Sequence, residues 1–190
     1  VYTIGGALAI SAFNYGTQTL KRVDKIVGPC NLYTATAKQM VFGEVGIDMV
    51  AGPSEVVIIA DDTANVDWLV MDMFAQAEHD EIAQAILISW DDNLLDKVAE
   101  AIEQRLLKRD KPMSRLEIIA KSINDRGALI KVGNVEEAVQ LVNVIAPEHL
   151  EIALDEPDSV LRGVQNAGAI FVGNQSAEVM GDYTAGPSHV

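Results

Sequence analysis

Three short polar segments each place a histidine beside a carboxylate at the expected end of a helix or strand. They contain all three histidines of the chain: Gln76-Ala77-Glu78-His79-Asp80, Ala146-Pro147-Glu148-His149-Leu150, and the segment 181–189 with Asp182 and His189. One histidine in such a setting is more often structural than functional, but three in the same kind of setting indicate a site. An imidazole beside a carboxylate can transfer protons near neutral pH or bind a metal ion.

The first segment has the donors of a metal site. Gln76 and His79 are three residues apart at the end of a helix predicted from about Asp67, so both side chains are expected on one helix face. An amide oxygen, an imidazole nitrogen and the carboxylate of Asp182 in a later loop suit Zn²⁺ or Mn²⁺. The alternative is a solvated helix end, at which the helix dipole favours His79.

The second segment has the groups of an acid–base pair. Glu148 and His149 are expected between a helix that ends before Pro147 and a strand, at a bend where both side chains can reach one pocket. The imidazole can accept a proton near neutrality, and the carboxylate can orient water. The alternative is a capped helix end without a chemical role.

Strands and helices alternate along the chain, which predicts an α/β protein with a mostly parallel sheet. Strands are predicted at 1–4, 23–27, 55–60, 85–88, 128–132, 150–154 and 169–172. Helices are predicted at 7–15, 32–41, 67–76, 91–108, 114–124, 134–146 and 157–165, with Asn31, Ser114 and Asn134 as N-caps. Residues 173–190 are predicted to form a long loop, and functional sites are expected beyond the carboxyl ends of the strands. The Gly52-Pro53 loop is the expected internal boundary.

Composition excludes several classes of partner. The formal net charge of -14 argues against nucleic acid and anionic membranes, which bind clustered Lys and Arg. No apolar run approaches the ~20 residues that span a bilayer. The single cysteine, Cys30, cannot form an intrachain disulfide, which fits a cytoplasmic protein. The missing initiator Met and the strand-like start suggest a piece of a longer chain.

Six segments, taken together, resemble the histidinol dehydrogenase family. They occur in the family's order and cover nearly the whole chain: 23–31 (VDKIVGPCN), 46–55 (GIDMVAGPSE), 76–80 (QAEHD), 146–150 (APEHL), 166–173 (NAGAIFVG) and 181–189 (GDYTAGPSH). The resemblance implies oxidation of L-histidinol to L-histidine through the aldehyde, with two NAD molecules and one zinc ion per subunit. It also implies a homodimer with a shared active site, and a chain that lacks the family's N-terminal part and the C-terminal segment that crosses to the partner.

The resemblance also implies a fold and roles for individual residues. Residues 1–52 would be the C-terminal part of a cofactor-binding Rossmann-like domain, and residues 53–190 the substrate- and metal-binding Rossmann-like domain, both incomplete. His149 would be the proton acceptor, Glu148 would activate water, and Asn31 would contact the cofactor. The zinc ligands would be Gln76, His79 and Asp182, and the substrate-binding residues would be Ser54, Gln76, His79, His149, Asp182 and His189.

Two residues depart from the family's pattern in the cofactor half. Leu8 stands where the family usually has a glutamine that contacts NAD, and Cys30 stands where it usually has a glycine. Two alternatives therefore stay open. One is a sister NAD- and zinc-dependent dehydrogenase of the same fold, acting on another small polar alcohol. The other is a metal-binding pseudoenzyme.

Overall fold

A computed structural model describes residues 1–28, 31–50, 52–107 and 114–183, without the side chains of Asp182 and Tyr183. These residues form two compact units, which divide between Pro53 and Ser54. The first unit contains α1 (Gly6–Tyr15), β1 (Lys25–Ile26), α2 (Leu32–Val41) and β2 (Gly46–Ile47). Its two short strands pair in parallel.

Local signals set the helix ends in the first unit. Gly16 ends α1 with φ 76°, a backbone conformation that glycine adopts without steric cost. The Asn31 side chain caps α2 by accepting a hydrogen bond from the Thr34 N–H at 3.0 Å, as predicted. The strand predicted at 1–4 is wrong, because no described strand pairs with this exposed segment and an unpaired strand cannot satisfy its backbone groups.

An ion pair between a buried lysine and a partly exposed aspartate joins α2 to the residue that follows β2. Lys38 is 1% exposed, and its ammonium group bonds both the Asp48 carboxylate and the Gly28 carbonyl oxygen. Burial acts to raise the pKa of Asp48, but the Gly28 N–H and Lys38 oppose it and hold that pKa well below its usual range. The pair therefore fixes Gly28, two residues after β1.

The second unit is a five-stranded sheet with strand order β5-β4-β3-β6-β7, and all of its pairings are parallel. The strands are β3 (Glu55–Ala60), β4 (Gln84–Ser89), β5 (Ala128–Lys131), β6 (His149–Ala153) and β7 (Ala169–Val172). The helices are α3 (Val66–Ala77), α4 (Asp92–Leu107), α5 (Leu116–Arg126), α6 (Val135–Ile145), α7 (Asp158–Leu161) and α8 (Val179–Tyr183). The predicted α/β class with parallel sheets is confirmed.

Alternate residues of the central strands enter two separate cores. Val56 and Ile58 of β3 pack with α3, α4 and α5 on one face of the sheet. Val57 and Ile59 pack with α6 and α7 on the other face. A strand buried on both faces needs a continuous apolar run, and this is the sequence pattern of β3.

Two predictions about the second unit are wrong. Ser114 does not cap α5, because the N-cap is Arg115, which has φ 66° and makes no side-chain cap. Residues 173–190 are not one continuous loop, because the five-residue helix α8 lies within them. In the ranges given above, no helix combines the length and apolar character needed to cross a membrane.

We expect Lys38→Met to lower the free energy of unfolding by about 2 kcal/mol, because it removes the charged hydrogen-bond partner of the Asp48 carboxylate, whose side chain is 19% exposed. Urea denaturation of the native protein measures this change. Lys21→Met, at an exposed lysine of the same unit, is the control. The control should change stability by less than about 0.5 kcal/mol, as is usual for surface substitutions. Equal stabilities of the two variants would contradict a structural role for the ion pair.

Candidate active site at the amino edge of the sheet

The predicted acid–base pair lies where β6 enters the sheet between β3 and β7. His149 is the first residue of β6, and it is in register with Val56 of β3 and Ala169 of β7. Ser54 and Glu148 directly precede β3 and β6. These residues lie at the amino edge of the sheet, as expected for a pair predicted to precede a strand, whereas the general expectation of sites beyond the carboxyl ends does not describe them.

The backbone before β6 bends for identifiable reasons. Ala146 ends α6 in the left-handed conformation, with φ 53°. Its N–H bonds the Val142 carbonyl oxygen at 2.8 Å, which is a helix C-cap. Pro147 then prevents the helix from continuing. Gly168 lets the chain entering β7 approach closely, because a Cβ there would lie 2.6 Å from the Glu148 carbonyl oxygen. The Ala169 N–H bonds that same oxygen at 2.8 Å.

Glu148 and His149 meet at this bend. Oε2 of Glu148 lies 3.9 Å from Nδ1 of His149 and accepts a hydrogen bond from the Glu55 N–H at 3.3 Å. The His149 side chain is 10% exposed and that of Glu148 is 23% exposed. His149 Nδ1 is buried and has no hydrogen-bond partner among the described residues. A ring nitrogen in this state can accept a proton from a bound group.

A third carboxylate, which the sequence analysis missed, lies on the other nitrogen of the ring. Oε1 of Glu178 is 3.7 Å from Nε2 of His149. Glu178 directly precedes α8, and that helix approaches β7 because Gly181 leaves no side chain over Phe171: a Cβ would lie 2.9 Å from the Phe171 ring. The Phe171 and His149 ring centroids are 6.1 Å apart.

The two candidate metal ligands near the end of α3 differ in their surroundings. Gln76 is 1% exposed, whereas His79 is exposed and lies beyond Ala77, the last residue of α3. The last turn continues past Ala77, because the Glu78 N–H bonds the Phe74 carbonyl oxygen at 2.9 Å and the His79 N–H bonds that of Gln76 at 3.2 Å. The shared face of the two side chains stays a prediction. The buried Oε1 of Gln76 has no hydrogen-bond partner among the described residues, and such an oxygen fits a metal ligand.

The remaining predicted site residues are only partly described. Within the described residues, no group of three His, Cys, Asp or Glu side chains could hold a metal ion. The Asp182 side chain and the whole of His189 and Cys30 lie outside the described residues. The predicted zinc set therefore stays a prediction. Ser54 is half-buried, and its carbonyl oxygen accepts a hydrogen bond from the Gln84 N–H at the start of β4.

The predicted cofactor contact Asn31 belongs to the first unit. Its side chain caps α2, and the residue is exposed. Leu8, the departure from the family's usual glutamine, is 73% exposed on α1. The cofactor role of this region stays a prediction.

Behind His149, two carboxyl groups line a cavity of about 470 Å³ between α3, β6 and residues 173–177. Glu151 follows His149 by two residues on the same face of the strand, and burial followed by the Asp72 charge raises its pKa to about 8. Burial and the Glu178 charge raise the pKa of Asp72 to about 6. Oε1 of Glu151 accepts a hydrogen bond from the Glu178 N–H at 2.8 Å. An acidic residue in an otherwise apolar strand was the available sequence signal for this cluster.

We expect Glu151→Gln to change how stability depends on pH. The folded protein keeps a proton on Glu151 between the usual pKa of 4.5 and about 8, whereas the unfolded chain loses it, so the free energy of unfolding falls as pH rises through this range. The substituted amide cannot ionise, so this loss is absent from the variant. Each pKa unit corresponds to about 1.4 kcal/mol. The free energy of unfolding of the variant, relative to that of wild type, should therefore rise by a few kcal/mol between pH 5 and pH 9.

Urea denaturation at intervals from pH 5 to pH 9 measures this gain. Glu103→Gln, at an exposed position of α4, is the control and should parallel wild type. A constant difference between Glu151→Gln and wild type at all pH values would show that Glu151 does not titrate as described.

The histidinol dehydrogenase family model matches residues 1–190. Among curated relatives, the histidinol dehydrogenase of Pseudomonas fluorescens strain Pf-5 is 54% identical over 190 residues, and that of Nitrosospira multiformis is 55% identical over the same length. In both cases the match covers 100% of this chain and 42% of the relative. The chain thus spans less than half the length of the curated relatives it matches.

Solved structures agree with the family model. The crystal structure of histidinol dehydrogenase from Elizabethkingia anophelis matches with a TM-score of 0.90 and 37% identity, over 99% of this chain and 42% of that one. A γ-glutamyl phosphate reductase from Thermotoga maritima matches with a TM-score of 0.56 and 12% identity, over 95% of this chain and 47% of that one, and so shares the fold alone. Because the family model matches the entire chain, the chain belongs to the histidinol dehydrogenase family.

Proposed function

We propose that the protein to which this chain belongs is a zinc-dependent histidinol dehydrogenase. It would oxidise L-histidinol through L-histidinaldehyde to L-histidine and reduce two NAD molecules in turn, in histidine biosynthesis. The observation that carries the proposal is the meeting of Glu148 and His149 at the amino edge of the sheet, in a chain that the family model matches throughout. The proposal includes a cytoplasmic location and a homodimer with a shared active site.

His149 would act as the base in both oxidation steps. Removal of a hydride from an alcohol carbon requires the hydroxyl proton to leave, and a neutral imidazole can accept that proton. The buried Nδ1 without a hydrogen-bond partner among the described residues and the two flanking carboxylates support this role. In the second step the same base would accept a proton from the hydrated aldehyde, whose carbon then gives its hydride to the second NAD.

Glu148 would orient the water that attacks the aldehyde carbon. Its Oε2 is held by the Glu55 N–H, and the carboxylate is partly exposed, so that it can reach a water molecule. The first oxidation consumes no water, whereas the conversion of aldehyde to acid does. Glu148 should therefore matter more in the second step than in the first.

A zinc ion would be held by Gln76, His79 and Asp182, with the buried Oε1 of Gln76, unbonded within the described part of the chain, as the supporting observation. When bound, such an ion positions the imidazole and amine of the substrate. Ser54, which directly precedes β3, and His189 would complete the substrate contacts. Asn31 would contact NAD.

We expect His149→Ala to abolish both oxidation steps, because no base would remain to take the hydroxyl proton. Glu148→Ala should slow oxidation of histidinaldehyde at least ~10-fold more than oxidation of histidinol, since general-base activation of water supplies about 10²- to 10⁴-fold. NADH formation with each substrate in turn measures the two steps. Equal losses in both steps would contradict the role given to Glu148.

The decisive experiment is a stoichiometry. The native protein, loaded with zinc, is given a limiting amount of L-histidinol and excess NAD, and NADH is counted per histidinol consumed. Two NADH per histidinol are expected, with loss of activity after removal of zinc by a chelator. No NADH from a folded, zinc-loaded protein would favour the sister dehydrogenase, and a screen of other small polar alcohols would follow. Zinc binding without any NAD binding would favour the pseudoenzyme.

A further inference from the structure

The His149 ring lies between two carboxylates, and only one of them has a role in the proposed reaction. Glu148 faces Nδ1 at 3.9 Å, and Glu178 faces Nε2 at 3.7 Å. The Glu178 side chain is 11% exposed, so its charge is largely shielded from water. A carboxylate at this distance from a shielded imidazole can hold the orientation of the ring and stabilise the imidazolium that forms when the ring accepts a proton.

The backbone of Glu178 is fixed by a buried acceptor. Its N–H donates a 2.8 Å hydrogen bond to Oε1 of Glu151, which is 3% exposed and lies two residues beyond His149 on the same strand. Glu151 therefore fixes the backbone of Glu178 by a hydrogen bond, and the Glu178 carboxylate lies 3.7 Å from the His149 ring. The close packing of Gly181 on Phe171 brings α8, which follows Glu178, against the neighbouring strand.

The Glu178 carboxylate acts on two neighbouring carboxyl groups. Its negative charge contributes to the raised pKa values of Asp72 on α3 and of Glu151 on β6. Glu151, with a pKa of about 8, keeps its proton at neutral pH, whereas Asp72, with a pKa of about 6, has mostly lost its own. Glu178 and Glu148 are the carboxylates that face the ring. A protonated Glu151 also limits the negative charge that would otherwise repel Glu178.

We propose that Glu178 is a positioning residue of the dehydrogenase reaction, which orients the His149 ring through Nε2 and stabilises its protonated form. This role rests on the proposed function, because it assumes that His149 is the base. The proton leaves the substrate hydroxyl for the ring, the hydride leaves for NAD, and Glu178 remains ionised throughout. Glu178 thus acts through His149, while Glu148 acts on water.

The test compares charge with shape at position 178. Glu178→Gln keeps the size of the side chain and removes its charge, and Glu178→Asp keeps the charge and shortens the side chain. Both are made in the native zinc-loaded protein, with Glu103→Gln as the exposed control. For each variant, kcat and KM with L-histidinol, the solvent deuterium isotope effect on kcat, the zinc content and the Tm are measured.

For Glu178→Gln we expect kcat to fall roughly 10- to 100-fold, because general-base catalysis supplies about 10²- to 10⁴-fold and part of it depends on this carboxylate. KM and zinc content should stay within about 2-fold of wild type, since uniform substrate binding is unchanged. The solvent isotope effect should rise as proton transfer becomes limiting. Glu178→Asp should recover part of the lost kcat.

Two results would overturn the role of Glu178. The first is that Glu178→Gln has the kcat and the solvent isotope effect of wild type. The second is that Glu178→Asp loses as much kcat as Glu178→Gln does, while the isotope effect of Glu178→Asp equals that of wild type. If Glu178→Gln does not fold, the isotope effect of Glu178→Asp alone decides. A wild-type protein that forms no NADH from L-histidinol would instead refute the proposed function, so the two failures are distinguishable.

Discussion

Parallel pairing of β6 with β3 and β7 is the constraint on which the candidate site depends. It places His149 beside Val56 and Ala169 at the first rung of the ladder, and it sets Glu148 against the backbone at the start of β3. A shift in register would move His149 away from these partners and would separate Glu148 from the Glu55 N–H. The geometry of the site is therefore set by the backbone hydrogen bonds of the sheet rather than by flexible loops.

Several helix and strand boundaries in the two compact units follow from sequence features that act locally. The continuous apolar run of β3, the asparagine caps of α2 and α6 and the helix end before Pro147 were all predictable, because each is a local choice that agrees with the final packing. The failures have physical causes. The segment 1–4 has strand propensity but no partner strand among the described residues, and α8 is too short to show a helical period.

The candidate site was predictable in part. The Glu148-His149 pair could be identified because two titratable side chains interrupt an apolar pattern at a helix–strand junction. Their place at the amino end of a strand was predictable for the same reason, although β6 begins at His149, one residue earlier than predicted. Which strands flank β6 was not predictable, because strand order depends on contacts that are distant in sequence. Glu178 lies far from His149 in sequence and approaches it only through the packing of α8 on Phe171, so spacing alone gave no indication of it.

The close approach at Gly168 has a consequence for how variants of this protein are interpreted. The missing side chain there allows the chain entering β7 to touch the Glu148 carbonyl oxygen, and β7 in turn carries Phe171, on which α8 packs. A bulky residue at this position would displace the backbone of Glu148. It would also displace Phe171, on which the helix that follows Glu178 packs. In a random mutagenesis screen, lesions at this glycine would therefore be mistaken for chemical defects, although the altered residue carries no reactive group.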